Sequence, residues 1–196
     1  MGIKESFAIA RRKQILDAAT VVFAERGFHR TTVKDIAKQA NIADGTLYNY
    51  FENKEDLLFG ILNRLNETDD RAEQFQAGQV GDLRQFFQIY LRYRLGVVFD
   101  NQALFQAILP ELITNARLKE RYMEQVIKPT IELATHYFEE MQTNGQIRSF
   151  DVESIIRMFT GVTLGVLVMH FLGDTVQDID TLSDTLASIL LDGLLA

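Results

Sequence analysis

Short polar side chains are concentrated near the N-terminus, on a segment flanked by lysines and arginines. Residues 44–50 place Thr46, Tyr48 and Asn49 around the apolar Leu47. Hydroxyl and amide groups can hydrogen-bond to base edges in the major groove, and cations neutralise phosphates. The residue types of this segment therefore suit nucleic-acid recognition.

Two short helices would position these side chains. Apolar periodicity predicts helices at 33–40 and 44–50, joined by a turn at 41–43. Thr32 is a natural N-cap for the first helix, and Asp35 stands where a capping box places its acid. This spacing predicts a helix-turn-helix whose second helix exposes its polar face.

The turn and the second helix have their own signals. Asn41 tolerates the left-handed backbone conformation, and Leu47 and Phe51 point inward four residues apart. The alternative interpretation is a solvated polar face on a small helical bundle, in which Tyr48 and Tyr50 are partly buried packing residues.

Charge is distributed unevenly along the chain, whose net charge is −7. Residues 1–54 carry nine Lys and Arg against six Asp and Glu, a net +3, and the remainder carries −10. A basic N-terminal region on an acidic remainder favours a protein that presents one end to phosphates.

The rest of the chain has helical periodicity interrupted at 77–81, which predicts a hinge between two domains. Pro110 and Pro129 fall inside helical patterns, where each either kinks a helix or marks its boundary. The further predicted helices are 10–26, 54–70, 82–99, 102–114, 116–143, 152–172 and 180–194.

The run from Arg12 to Leu58 contains AERGFHRTTVKDIA and ADGTLYNYFENKEDLL. It closely resembles the DNA-binding domain of the tetracycline-repressor (TetR) family. The resemblance implies an all-α protein of about nine helices, with a helix-turn-helix DNA-binding domain at 1–54. It also implies a helical ligand-binding and dimerisation domain at 55–196.

The resemblance implies roles position by position. Thr32 caps its helix and touches a phosphate, Gly45 allows close backbone approach, and Lys54 meets a phosphate at a helix N-terminus. The ring of Tyr50 reaches the DNA backbone. The expected DNA-binding residues are Thr32, Lys34, Ala43, Asp44, Gly45, Thr46, Tyr48, Asn49, Tyr50 and Lys54.

This sequence departs from the family pattern at two positions. Asn41 stands where glycine is commonest, and Ala43 stands where a serine often caps the recognition helix. Asp44 either takes over the cap or lies near the groove, where its carboxylate can accept from a cytosine amine.

The family's central helices enclose a small-molecule pocket, so some aromatic side chains of the second domain should line a cavity. A ring or phenol can both pack and orient a ligand, although filling the core is the commoner role for any one of these residues. The expected ligand-binding residues are Tyr90, Tyr93, Phe105, Tyr122 and Phe159.

Residues 152–172 are apolar on nearly every helical face, with Gly161 and Gly165 four residues apart. Such a helix must be covered on all sides. Its longest apolar stretch, from Met158 to Leu172, falls short of the roughly 18 residues of a membrane span, so a buried core helix is expected. The resemblance implies that 152–172 and 180–194 pair with their counterparts in a homodimer; a monomeric core is the alternative. His170 is expected to hydrogen-bond in that interface rather than to bind metal.

Three functional hypotheses follow. The first is a cytoplasmic repressor that binds palindromic double-stranded operator DNA as a homodimer, without contact to membranes. An unknown small effector, expected to be lipophilic, releases it. The second is an enzyme, which the absence of cysteine, of Glu-x-x-His pairs and of glycine-rich phosphate loops disfavours, so no cofactor or metal is expected. The third is a helical small-molecule-binding or interaction module that does not bind DNA.

Overall fold

The computed structural model describes residues 2–66, 83–176 and 178–192. These ranges are helical and contain no β-strand, which confirms the all-α class. The predicted break at 77–81 lies outside them. The elements are α1 Ile3–Arg26, α2 Val33–Gln39, α3 Asp44–Tyr48, α4 Lys54–Asn66, α5 Leu83–Asp100, α6 Gln102–Thr114, α7 Ala116–Tyr122, a π-helical turn Met123–Ile127, α8 Lys128–Thr143, α9 Val152–Phe171 and α10 Ile179–Asp192.

The ends of α1 and α3 differ from their predicted positions. α1 begins at Ile3 rather than at residue 10, because apolar periodicity marks only its buried part, and residues 5–10 are exposed. It ends as predicted at Gly27, which has φ 76° and donates its N–H to the Phe23 carbonyl. α3 ends at Tyr48, two residues before the predicted end.

The two prolines have different roles. Pro110 lies inside α6, whereas Pro129 is the second residue of α8 and comes directly after a π-helical turn. The helix predicted over 116–143 is therefore interrupted, and the π-helical turn Met123–Ile127 separates α7 from α8.

The chain falls into two compact units. The head unit comprises Met1–Asn66 with Asn101–Glu124, and the body unit comprises Glu67–Asp100 with Gln125–Ala196. The head unit thus includes α4, α6 and α7 besides the first three helices. The functional boundary after residue 54 remains a prediction.

The core of the head unit is built on α1, which packs against α2, α4 and α6. Ile15, Ala19 and Phe23 of α1 are completely buried. α4 approaches α1 closely at Gly60, where a Cβ would lie 2.9 Å from a methyl carbon of Leu16. Each large apolar side chain buried here stabilises the fold by roughly 1.5–3 kcal/mol.

The core of the body unit is aromatic. The rings of Phe87 and Phe159 stack with centroids 4.5 Å apart, and Phe138 lies 5.8 Å from Phe159. Burial raises the pKa of Tyr137 to about 12. α10 packs on α5 and buries Ser183, Ala187, Leu190 and Leu191.

The apolar helix α9 is largely uncovered within the chain. Only Ile155 and Phe159 of α9 are buried, which disfavours the alternative of a monomeric core and leaves the homodimer a prediction. Its length and mean hydropathy of 1.6 satisfy the composition of a membrane span, and 11% of that window is buried. Its exposed apolar side chains are Met158, Leu164, Val168 and Met169, followed by Leu172 at the C-cap.

Candidate nucleic-acid interface and apolar cavity

The start of α2 has the predicted capping box. The Thr32 hydroxyl accepts a hydrogen bond from the Asp35 N–H at 3.2 Å, and the Asp35 carboxylate accepts from the Thr32 N–H at 2.9 Å. The carboxylate also accepts from the Thr32 hydroxyl at 2.6 Å. These bonds, with the nearby Arg26 cation, hold the pKa of Asp35 below its ordinary value. Thr32 is therefore fixed at an exposed helix start, where N–H groups attract anions.

The turn between α2 and α3 adopts the expected geometry. Asn41 has φ 53°, the left-handed conformation that glycine usually supplies at this place in the family. The Ile42 N–H donates to the Ala37 carbonyl at 3.0 Å, which closes the turn. In this chain Asn41 therefore adopts the left-handed conformation that the turn requires.

α3 has no side-chain cap. Ala43 is the N-cap residue, and no side chain hydrogen-bonds there. Asp44 is the first helical residue, so the prediction that it takes over the cap is wrong. Its carboxylate lies in the first turn, where it stabilises the positive end of the helix. The alternative, acceptance from a cytosine amine, remains a prediction.

The side chains of the recognition segment divide as predicted. Leu47 and Phe51 are buried, whereas Tyr48 is 55% exposed and Asn49 is exposed. The exposure of Tyr48 disfavours a packing role for it, whereas Tyr50 is half-buried, as the packing alternative expects, and Thr46 is half-buried as well. Asn49 and Tyr50 follow the end of α3, and the Tyr50 N–H donates to the Leu47 carbonyl at 2.9 Å.

Gly45 has free space around it. A Cβ at this position would meet no heavy atom within 4 Å, so packing inside the chain does not require glycine there. Close approach of another molecule's backbone is a physical reason for glycine at this exposed position.

Arg12 supports the segment from α1. Its guanidinium donates to the Tyr50 carbonyl at 3.4 Å and lies 4.4 Å from the centroid of the Phe51 ring. This contact was not predicted from the sequence. The partners lie 38 residues apart, and an arginine at this point of an amphipathic helix carries no local signal.

Lys54 opens α4, as predicted, but its side chain points to the loop between α1 and α2. Its ammonium donates to the carbonyls of Phe28, His29 and Thr31. The ammonium also lies 4.3 Å from the centroid of the Phe28 ring. Lys34, in contrast, is exposed on the first turn of α2.

Two polar side-chain contacts hold α6 and α7 to the rest of the head unit. The His29 Nε2 lies 2.6 Å from the buried carboxylate of Glu111. Arg121 pairs with Asp56, and its guanidinium lies 4.0 Å from the centroid of the Phe59 ring. A buried carboxylate needs such a partner, because an unpaired charge in the interior is strongly destabilising.

The body unit contains a small apolar cavity of about 80 Å³. Two of the predicted ligand-binding residues, Tyr90 and Phe159, line it. Tyr93 does not line it, and Phe105 and Tyr122 belong to the head unit. The other lining residues, which sequence reasoning missed, are Phe87, Thr130, Ile131, Ala134, Phe138, Ile156 and Thr160.

The family model "Bacterial regulatory proteins, tetR family" matches residues 15–61. The chain is 31% identical to the HTH-type transcriptional repressor KstR2 of Rhodococcus jostii, over 94% of this chain and 91% of that protein. It is 26% identical to the fatty acid metabolism regulator protein of Bacillus subtilis, over 92% and 94%. The solved structure of Bacillus subtilis FadR in complex with stearoyl-CoA has a TM-score of 0.76 at 26% identity, covering 92% of this chain and 98% of that one.

The chain belongs to the TetR family of bacterial transcriptional regulators. It is a DNA-binding regulator and not an enzyme, which decides between the first two hypotheses. Its N-terminal helix-turn-helix is the part that the family model matches.

Proposed function

We propose that this protein is a cytoplasmic repressor that binds a palindromic operator as a homodimer and leaves it when a lipophilic effector binds. The observation that carries the proposal is the exposure of Tyr48 and Asn49 on a segment anchored by the buried Leu47 and Phe51. Polar groups held in this way can enter a major groove without disturbing the core.

The DNA contacts follow from the position of each side chain. Thr46, Tyr48 and Asn49 contact base edges, and Thr32, Lys34 and Tyr50 contact the phosphate backbone. Ala43, Asp44 and Gly45 form the first turn of the recognition segment, where the absence of large side chains permits close approach. The exposure of Lys34 and the free space at Gly45 support these roles.

The homodimer is supported by the uncovered face of α9. Leu164 is 58% exposed and Met169 52% exposed, and Cβ atoms at Gly161 and Gly165 would meet nothing within 4 Å. A second copy of α9 covers these side chains and approaches closely at the glycines. α10 contributes Ile189, which is 66% exposed, whereas its Ala187, Leu190 and Leu191 are buried and Leu186 packs against the core.

The effector class is inferred from the cavity and from the relatives. Bacillus subtilis FadR has been solved with stearoyl-CoA, and the cavity of this chain is lined mainly by apolar side chains. We therefore propose a long-chain acyl thioester. The cavity is well below the roughly 300–1,000 Å³ of typical small-molecule sites. An acyl chain enters only if its lining helices α5, α8 and α9 separate, and such a change gives an effector differential affinity for two states.

The test measures operator release. The operator is selected from random duplexes by the wild-type protein, and its release is titrated with stearoyl-CoA, stearic acid and coenzyme A. We expect release by stearoyl-CoA alone. Ala134→Leu, which fills the cavity, should bind the operator normally and resist release. Ala103→Leu, which adds the same methyl groups to an exposed position of α6, is the control.

Three outcomes would contradict parts of the proposal. Failure to select any sequence would refute the operator-binding role. Selection of a palindrome that no acyl thioester releases would refute the effector class alone. A promoter fusion that loses activity when the gene is deleted would show an activator rather than a repressor.

A further inference from the structure

The ammonium of Lys54 is saturated by backbone carbonyls. Its distances to the carbonyl oxygens are 2.8 Å for Phe28, 3.2 Å for Thr31 and 3.4 Å for His29. An ammonium has three protons and no acceptor capacity, so these three oxygens use every hydrogen bond that it can donate. All three belong to the loop between α1 and α2.

The loop carbonyls also depend on Lys54. Phe28 is 4% exposed and Thr31 is 2% exposed, and the contacts of Lys54 with their carbonyls are partly buried, whereas the contact with the His29 carbonyl lies at the surface. A phosphate could attract the ammonium only by withdrawing protons from these carbonyls, and unmade hydrogen bonds in such surroundings are unfavourable. The Phe28 ring under the ammonium adds a second attraction in the same place.

We infer that Lys54 is a positioning residue that holds the α1–α2 loop, and that it does not contact a DNA phosphate. The loop leads directly into Thr32, the cap of α2, so its conformation sets the first turn of the helix that supports α3. Glu111 of α6 holds His29 of the same loop, which gives the loop a second, independent anchor. The inference rests on operator binding as the proposed function.

Salt dependence distinguishes the two roles. A lysine that neutralises a phosphate contributes about one unit to the slope of log affinity against log salt concentration, and a positioning lysine contributes none. Lys54→Met keeps the alkyl stem over Phe28 and removes the charge. Lys34→Met, at an exposed position proposed to meet a phosphate, is the matched control.

We expect Lys54→Met to weaken operator binding with an unchanged salt slope and to lower the unfolding temperature by roughly 3–8 °C. Amides of residues 28–32 should also exchange hydrogen faster. Lys34→Met should lower the slope by about one unit and leave the unfolding temperature unchanged. If Lys34→Met does not lower the salt slope, the proposed phosphate contact of Lys34 is refuted. The inference about Lys54 does not depend on that result.

A slope lowered by one unit in Lys54→Met, with unchanged unfolding temperature and loop exchange, would overturn the inference. If Lys54→Met does not fold, the variant Lys54→Arg tests the positioning role instead. The planar guanidinium cannot direct three protons to the same three carbonyls, so arginine should lower the unfolding temperature. An arginine variant as stable as wild type, with full operator affinity, would overturn the inference as well.

Discussion

The head and body units present opposite kinds of functional surface. In the head unit the candidate surface is polar, and hydrogen bonds to neighbouring backbone hold it, as in the Thr32–Asp35 capping box and the Arg12 contact with the Tyr50 carbonyl. In the body unit the candidate surfaces are apolar: the cavity beside Phe159 and the uncovered face of α9.

Because of this difference, the two units depend on their partners to different degrees. An exposed asparagine or tyrosine hydroxyl is satisfied by water until DNA replaces it. An exposed leucine on α9 forgoes roughly 1.5–3 kcal/mol until something covers it. We therefore infer that the head unit keeps its shape in the absence of DNA, whereas the body unit depends on assembly.

The largest effect should come from a charge on the uncovered face of α9. Leu164→Glu should produce monomers at micromolar concentration, because a carboxylate in a helix–helix seam would be buried without a partner. Operator affinity should fall at least 100-fold, since one head contacts only half of a palindrome. Sedimentation velocity and a band-shift titration measure the two effects.

The control for this variant is Ile89→Glu. Ile89 of α5 has the same 58% exposure as Leu164 and lies outside the proposed seam. Ile89→Glu should leave both the sedimenting mass and the operator affinity unchanged. A wild-type protein that sediments near its chain mass of 22.4 kDa would contradict the dimer, and with it the paired-head mechanism.

The next effect concerns base recognition by the head unit. Asn49→Ala should relax sequence selection at one or two base pairs, with a loss of roughly 1–3 kcal/mol if the amide makes a bidentate contact. Lys34→Ala should weaken binding to all sequences alike. Selection from random duplexes measures both. An Asn49→Ala protein that selects the wild-type operator with equal stringency would refute the assignment.

The sequence predicted the head unit well because its signals are local. The Thr32 cap, the turn at Asn41 and the alternation of Leu47 with Tyr48 each depend on neighbours within a few residues. Lys54 and Arg12 could not be assigned in this way. Their side chains reach partners 26 and 38 residues away, and a long flexible side chain has no intrinsic direction.

The cavity in the body unit was harder to predict for a related reason. Its lining is shared by α5, α8 and α9, so it depends on how three helices pack. Tyr90 and Phe159 were found because aromatic residues suggest a pocket. Ala134 and Thr160 were missed because a small side chain lines a cavity only where its larger neighbours leave space.

Loss of the Arg12 contact should have a smaller effect. Arg12→Met removes a guanidinium that binds the Tyr50 carbonyl and the Phe51 ring. Exposed cation–π contacts contribute about 0.5–1 kcal/mol, so operator affinity should fall only a few-fold. The preferred sequence should not change, because Arg12 supports the recognition segment from behind. A changed base preference would show that Arg12 itself reads DNA.

The smallest effect tests a feature that both units share. Asp35 in the head and Asp151 in the body each accept hydrogen bonds near a helix start, from Thr32 and from Ser154. These bonds hold the pKa of each carboxyl below its ordinary value of 3.8. A depressed folded-state pKa stabilises the fold above the unfolded-state value, and this contribution is lost as pH falls through the folded-state value.

Asp35→Asn and Asp151→Asn should therefore each be slightly less stable than wild type at pH 7. The difference should shrink as the pH falls below about 4, where the wild-type carboxylates become protonated as well. Urea unfolding at pH 7 and pH 3 measures the change. Asp151 is exposed and Asp35 is half-buried, so water and salt weaken the interactions of both carboxyls. A pH-independent difference for Asp35→Asn, beside the expected convergence for Asp151→Asn, would mean that Asp35 acts in the head unit through the shape of its side chain rather than through its charge.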